Sequence, residues 1–465
     1  MVKISRNNGL GESFLFYTYL ILLGENSMKS SNAKGKFLLL NSPLSWGRMI
    51  DNEEYLPPLG LGYIATYLDA IGVDVQIIDC VKRRMSVTEI ITCINKEKPA
   101  YIGINIFTQN YKLVKYILEN ISTGCELFIG GQVVKSIYHE ILKWDVKNKL
   151  NIIIGDGEYI IPKIVSKKCE QKPETQQGDK YVYRVDTVSK YFPNDISNVI
   201  LNRKFFENEV IVNHYGKNEI AIVTSRGCSY NCAFCGGARG LNRDIPIRYR
   251  TAESVINEIN EIVEHYPQVQ SIRVLDDLFL RDITSIDTAN AIFSGFPGLS
   301  WRGMSHVLSL KRAKDKFSEL KKNGCDELFI GIESGSETIR RKINKSGKID
   351  DIIDVAYGLL SHGIDLKGYF IYGFPEETEE DFRKTFTLAE KLTKVAKQTE
   401  GNFRTSVFQF RPYHGTQLYN EILKKQGFVP ECEFNNSISH MSRRAQFNFD
   451  SGNYSNESDD ILNKY

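Results

Sequence analysis

The sequence has no excess of charge of either sign. Its 59 Lys and Arg against 57 Asp and Glu give a formal net charge of +2 over 465 residues. With both signs interspersed, nothing attracts a polyanion, so neither nucleic acid nor an anionic membrane surface is an expected partner. An apolar run of membrane-spanning length is also missing. The stretch FLFYTYLILLG, Phe14 to Gly24, covers 11 residues, whereas a membrane helix needs about 20. It reads either as a short interfacial anchor or as part of an upstream extension. We take residues 1–34 as an N-terminal extension, disordered or outside the native protein, with the working chain starting near Met28. The nine cysteines form no evenly spaced framework, their number is odd, and no signal peptide of the usual form precedes them. A disulfide scaffold is thereby excluded, and the expected location is a reducing cytoplasm with thiols free or on metal.

What is present is an ordinary globular composition, 42% hydrophobic and 25% charged, with enough apolar material for large cores. The length predicts two or three domains. Between residues 35 and 168 the apolar runs KFLLLNSP, VDVQIIDC, YIGINIFT, CELFIGG and NIIIGDGE alternate with segments of helical period. Near-continuous apolar strands joined by helices predict a parallel sheet covered on both faces, here an open, doubly wound, Rossmann-like α/β fold. The polar KKCEQKPETQQGDK, Lys167–Lys180, leads into residues 169–220, which read as a linker or bridging segment. Residues 221–427 carry six further strand–helix units, beginning at AIVTS. Six are too few for an eightfold barrel and predict a partial (β/α)6 TIM-type barrel, with ligands at the strand carboxyl ends. Residues 428–465 are polar and read as a loosely ordered tail.

Three of the nine cysteines fall in one loop, VTSRGCSYNCAFCGG, as Cys228, Cys232 and Cys235. The loop follows the first strand of the second zone and so sits at the carboxyl edge. Structural zinc and four-iron clusters normally take four protein ligands. Three thiols on a cluster leave one iron open for a small molecule. Zinc completed by a distant histidine is an alternative, although no histidine lies within 13 residues of the three cysteines. Three unligated thiols are a further alternative.

The C-x3-C-x2-C spacing with Phe234 before the last cysteine resembles the radical S-adenosylmethionine (SAM) superfamily. The longer TSRGCSYNCAFC is similar to its branch with an N-terminal cobalamin-binding-type domain. The resemblance extends over residues 36–425 through YLPPLGLGYIATYL, FIGG, IIIGDGE, VLDDLF, FIGIESGSE, KGYFIYGFPEET and FRPYHGTQLY, in that order. It implies a 4Fe–4S cluster on Cys228, Cys232 and Cys235, SAM chelated by the open iron, and reductive cleavage to a 5′-deoxyadenosyl radical. It implies SAM contacts from Phe234, Gly236, Asp276 or Asp277, Glu333 and Gly373. For cobalamin it implies Pro58, Leu59, Gly60, Thr108, Gly130, Gly131, Gln132, Gly155 and Glu158. One departure stands out: no D-x-H-x-x-G string supplies a histidine to cobalt.

The function so implied is methylation of an unactivated carbon, or phosphorus, in a small-molecule or peptide natural-product substrate. An external one-electron reductant such as flavodoxin or ferredoxin would be needed. Alternatives are a radical cyclase or rearrangement enzyme without methyl transfer, and a non-catalytic iron–sulfur or cobalamin scaffold. A methylthiotransferase fits less well, because Cys80, Cys93, Cys125 and Cys169 are scattered and little chain follows residue 430. Polar residues near strand ends that are candidates to serve the substrate are His306, Tyr369, Tyr372, Arg411 and His414.

Overall fold

The computed structural model describes residues 35–44, 46, 55–429, 433–434, 449–450 and 452–465. The expected N-terminal extension, with its apolar stretch and Met28, lies outside the described residues, as does most of the tail between 430 and 451.

The first sheet is built from apolar runs that are buried on both faces. Strand β1 (Phe37–Asn41) is FLLLN, and its first four residues are buried. It pairs in parallel with β2 (Val75–Asp79) and β3 (Tyr101–Asn105). Beyond β3 lie β4 (Glu126–Gly130) and β5 (Leu150–Gly155), also parallel. The connecting helices carry their own start signals. The helix Val87–Glu97 begins with a capping box between Ser86 and Glu89 and stops at Lys98, which takes a left-handed conformation. Strand order β2-β1-β3-β4-β5 reverses direction between β1 and β3, and a doubly wound sheet opens its ligand crevice at such a point.

The segment expected to be a linker extends this sheet instead. β6 (Thr175–Gln177) and β7 (Lys180–Val185) form a hairpin, and β7 adds in parallel to β5. The sequence hid this because only Val182 and Val185 of KYVYRV are buried, a weaker signal than a buried apolar run.

The second sheet has the order β16-β15-β14-β13-β12-β9-β8. Short β8 (Ile211–Val212) runs antiparallel along β9 (Asn218–Ile222). Then β12 (Ser271–Val274), β13 (Ser300–Ser305), β14 (Cys325–Glu333), β15 (Asp365–Tyr372) and β16 (Phe403–Gln409) follow in parallel. Six parallel strands in sequential order make the partial barrel. Between β9 and β12, the two-residue strands β10 (Ser225–Arg226) and β11 (Arg248–Tyr249) pair antiparallel and bracket the cysteine loop.

The barrel's helices pack outside, around Trp301, Phe317, Phe370 and Phe382, all essentially fully buried. The barrel's inner face is unusual in being charged. Arg302 lies between Glu219 and Glu327, and Arg404 also reaches Glu327. The end of the chain is docked rather than loose: Leu462 is buried and Tyr465 stacks on Tyr372. Among the described residues, no helix is long and apolar enough to cross a membrane.

Candidate functional site

The cysteine loop is fastened at both ends. Just before it, the Asp276 carboxylate accepts from the Thr224 backbone N–H at 2.7 Å, the Thr224 hydroxyl at 2.5 Å and the Ser225 hydroxyl at 2.6 Å. Gly227 then turns the chain at φ +97°, a conformation that favours glycine. Inside the loop, Cys235 N donates to Cys232 O, Ala238 N to Cys235 O and Arg239 N to Tyr230 O. From across the barrel, Ile343 O accepts from Ala233 N at 2.9 Å and Asn344 Nδ2 donates to Asn231 O at 2.7 Å.

Burial raises all three thiols above the usual range, and repulsion from neighbouring thiols adds to it at Cys228 and Cys235; Cys235 is pushed up to about 12. The unligated loop therefore holds neutral thiols, and loading a metal centre must release protons. Among the described residues, no three His, Cys, Asp or Glu side chains converge tightly enough for a single metal ion. Three thiols in one loop suit a four-iron cluster that keeps one iron open.

Around the thiols the structure sorts the expected SAM residues. Asp277 turns toward them: a Cβ placed on Gly237 would lie 3.6 Å from Asp277 Oδ2 and 3.7 Å from Cys235 Sγ. Asp276 is a correction. Its carboxylate is consumed in tying down Thr224 and Ser225, so it does not face the site. Phe234 packs against Phe374 with ring centroids 5.5 Å apart. Gly236 lies directly under the Gln132 side-chain amide, which a Cβ there would displace. Gly373 turns at φ +88° and donates its N–H to Glu377. The Glu377 carboxyl is pushed up to about 8 by burial. Glu333 ends β14 at φ +67° and pairs with Lys345 at 2.9 Å.

The three substrate candidates separate too. His306 caps the helix Val307–Arg312, accepting from Leu308 N, and stacks on Tyr230 of the cysteine loop at 3.8 Å. Burial first, then the Lys345 and Arg340 cations, hold its imidazole neutral down to about 3. Tyr369 faces inward, between Phe329 and Phe408. Tyr372 is a correction: it points outward onto Phe382 and Tyr465, where the two-residue period of the strand puts it.

A cavity of about 720 Å³ lies between the carboxyl edges of the two sheets. Pro58, Leu59, Gly60, Gly130, Gly131, Gly155 and Glu158 border it from the first sheet, and Ser225, Arg226, Gly227 and Asp277 from the second. A Cβ on Gly60 would meet nothing within 4 Å, and one on Gly130 only Ile153 O at 3.7 Å. Side chains at these positions would project into the cavity, so the glycines keep it wide, as a broad macrocycle such as cobalamin requires. Thr108 and Gln132 are corrections, since neither borders the cavity. Thr108 accepts from His414 N at 3.3 Å, and Gln132 fills the space above Gly236. Glu158 reaches the cavity wall but its carboxylate is paired with Arg226 at 2.5 Å.

Several residues that the sequence did not single out shape this cavity. Asn41 and Asn105 end β1 and β3 and border it. Asn41 donates to Asp79 at 2.9 Å, Asn105 donates to Asn41 at 3.1 Å, and Asn105 accepts from Ser42 N at 2.8 Å. Because a carboxylate only accepts, Asp79 fixes both amide orientations down the chain. Their signal was a polar residue closing an apolar run at the edge where ligands sit. Arg226 bridges the domains, pairing with Asp156 at 3.0 Å and lying over the Tyr63 ring. Asp156 also holds Arg248. No local pattern marks that bridge.

Comparison with known proteins agrees with this layout. The Radical SAM superfamily profile matches residues 222–389, and the B12 binding domain profile matches residues 48–165. An uncharacterised methyltransferase of Pyrococcus horikoshii, PH0819, is 28% identical over 386 residues, covering 78% of each chain. The cytidylyl-2-hydroxyethylphosphonate methyltransferase of Streptomyces wedmorensis is 22% identical over 85% of this chain and 82% of its own. Among solved structures, the radical SAM methyltransferase TsrM from Kitasatospora setae, with tryptophan and a SAM analogue bound, superposes with a TM-score of 0.63. That match has 16% identity and covers 86% of this chain and 78% of TsrM. The cobalamin-dependent radical enzyme OxsB superposes with a TM-score of 0.57 at 15% identity; the match covers 90% of this chain but 64% of OxsB.

Proposed function

Since the chain belongs to the Radical SAM superfamily and carries a B12 binding domain ahead of that module, we propose that it methylates an unactivated carbon or phosphorus of a small-molecule or natural-product substrate. At the coarser level it is a cobalamin-dependent radical SAM methyltransferase-like enzyme, with a 4Fe–4S cluster, SAM and cobalamin as cofactors. The cluster with SAM supplies a radical, and cobalamin supplies a carrier for the methyl group.

The observation that carries the proposal is the single cavity bordered by both carboxyl edges. A substrate seated there meets the radical source from one side and the methyl carrier from the other, with no transfer across solvent. Cys228, Cys232 and Cys235 would hold the cluster. Asp277, beside Cys235 and accepting from Gly227 N–H, would orient the SAM amino group. The glycine-lined crevice over β1, β3, β4 and β5 would seat the corrin. Arg226 and its two carboxylate partners close the seam between the domains and keep water from the radical. With no excess of basic charge, a small molecule suits the cavity better than a nucleic acid does. A one-electron donor protein supplies the reducing equivalent.

The test is anaerobic. The cluster is reconstituted, hydroxocobalamin is added, the protein is desalted, and iron, cobalt and the visible spectrum are measured. Reductant and SAM are then supplied, and 5′-deoxyadenosine and methylcobalamin are quantified. The expected result is about one retained cobalamin that becomes methylated. Cluster and 5′-deoxyadenosine without retained cobalamin would replace methyl transfer by cyclisation or rearrangement. An intact cluster that never cleaves SAM would leave a binding scaffold.

A further inference from the structure

Lys345 is a lysine whose side chain is only 8% exposed, and lysine is almost never buried unless paired. Its Nζ donates to Glu333 Oε1 at 2.9 Å. Glu333 sits at a register shift where β14 leaves the sheet, with φ +67°. A non-glycine residue held there is strained and persists only when its surroundings fix it. Those surroundings are specific. Arg340, fully buried, donates to the carbonyls of Ile332, Ser346 and Gly347, which fixes the chain on both sides of the pair. Lys345 N closes its own turn onto Arg340 O at 2.8 Å.

The same segment is stapled to the cysteine loop. Ile343 O accepts from Ala233 N, and Asn344 Nδ2 donates to Asn231 O, so both chain neighbours of Cys232 are held by residues just before Lys345. Lys345 follows directly on the two residues that hold Ala233 and Asn231, which sets the ion pair next to Cys232. This is a dry ion pair held against the cluster ligands, and in such a medium a charge acts strongly over short distances.

We propose that the Lys345–Glu333 pair is a positioning and charge-setting device for the cluster: Lys345 holds Glu333 in its left-handed geometry and, by its positive charge beside Cys232, eases the uptake of the reducing electron. The proposal rests on the iron–sulfur reading above. Its redox step is one electron passing from a low-potential donor, dithionite in the experiment, to the cluster. That adds one negative charge to a site already carrying three thiolates. A nearby cation stabilises the reduced form, and a nearby anion opposes it. The two members of the pair must therefore shift the reduction midpoint in opposite directions, which a merely structural role would not do.

The experiment compares wild type, Lys345→Met, Lys345→Arg and Glu333→Gln, each reconstituted anaerobically without substrate. Iron and sulfide are counted first, and the midpoint is then read by dye-mediated titration with electron paramagnetic resonance detection. The expected results are a more negative midpoint for Lys345→Met, a midpoint close to wild type for Lys345→Arg, and a more positive one for Glu333→Gln. Equal midpoints in all four proteins, or shifts of one sign in both Lys345→Met and Glu333→Gln, overturn the proposal. If Lys345→Met takes up no iron, Glu333→Gln decides: an unchanged or more negative midpoint overturns it. A wild-type chain without a four-iron signal overturns the iron–sulfur reading itself, and this proposal with it.

Discussion

The carboxyl edges of the two sheets face one cavity but are made of different chemistry. The first edge is mostly glycine, backbone and neutral amide: Gly130, Gly131 and Gly155, with Asn41 and Asn105 oriented by Asp79. The second is thiol, carboxylate and buried cation: Cys228, Cys232, Cys235, Asp277, and the Glu333–Lys345 pair at a strained backbone. The contrast teaches what each ligand asks of a protein. A broad, preformed cofactor needs room and shape, which glycine provides. A charged, redox-active cluster needs ligands and counter-charges, which must be buried and therefore paired.

Substitution at the cysteines is the strongest test of that division. Cys228→Ala, Cys232→Ala or Cys235→Ala should each abolish SAM cleavage and lower iron content, while cobalamin retention stays near wild type. Loss of cobalamin in the same variants would mean that the two edges are not independent. The mirror experiment is Gly130→Leu, whose side chain enters the cavity. Cobalamin retention should fall at least tenfold with iron content unchanged, as measured after desalting.

Arg226 tests the seam between the edges. Removing it with Arg226→Met strands the Glu158 carboxylate and leaves Asp156 only Arg248. A fully buried pair broken this way costs about 3–5 kcal/mol; the Arg226 side chain keeps 19% exposure, so about 2–3 kcal/mol is expected. Thermal unfolding should then separate into two transitions where wild type shows one.

A smaller effect concerns pH. Burial holds His414 neutral, its value lowered from 6.5 to about 4. Its imidazole lies between Tyr111 and Tyr419 and bonds Thr108 of the first domain. The unfolded chain takes up a proton below about pH 6.5 that the folded chain refuses. The stabilisation is thus complete above that pH and is lost as pH falls toward 4, about 2 kcal/mol of it between pH 6.5 and 5. Melting temperatures at pH 7 and pH 5 should differ less in His414→Gln than in wild type. The smallest expected change is at the chain end. Tyr465→Ala removes the ring stacked on Tyr372 and Phe382 and should cost about 1 kcal/mol, seen as a small drop in melting temperature with no change in cofactor content.

Much of this was legible because its signals are local. Strands buried on both faces are written as apolar runs, so β1 to β5 and the six parallel barrel strands could be read in order. The cysteine loop could be placed at the carboxyl edge because a strand precedes it. What could not be read depended on direction or on distance along the chain. Asp276 and Asp277 are adjacent, and the bend after β12 decided which carboxylate secures the loop and which faces the cavity. Thr108 and Gln132 sit on the expected loops, but their side chains are taken up by His414 and by the space over Gly236. β7 escaped notice because it buries only Val182 and Val185 rather than a continuous apolar run.

The sequence by itself determined the two parallel sheets, the place of the thiols and the glycines that keep the crevice open, since periodicity and backbone freedom are properties of neighbouring residues. Only the tertiary structure decided the partners of the buried charges. Lys345 lies 12 residues from Glu333 and Arg226 lies 68 from Glu158; folding brings each pair into contact, and a charge can stay buried only where its counter-charge is brought to meet it.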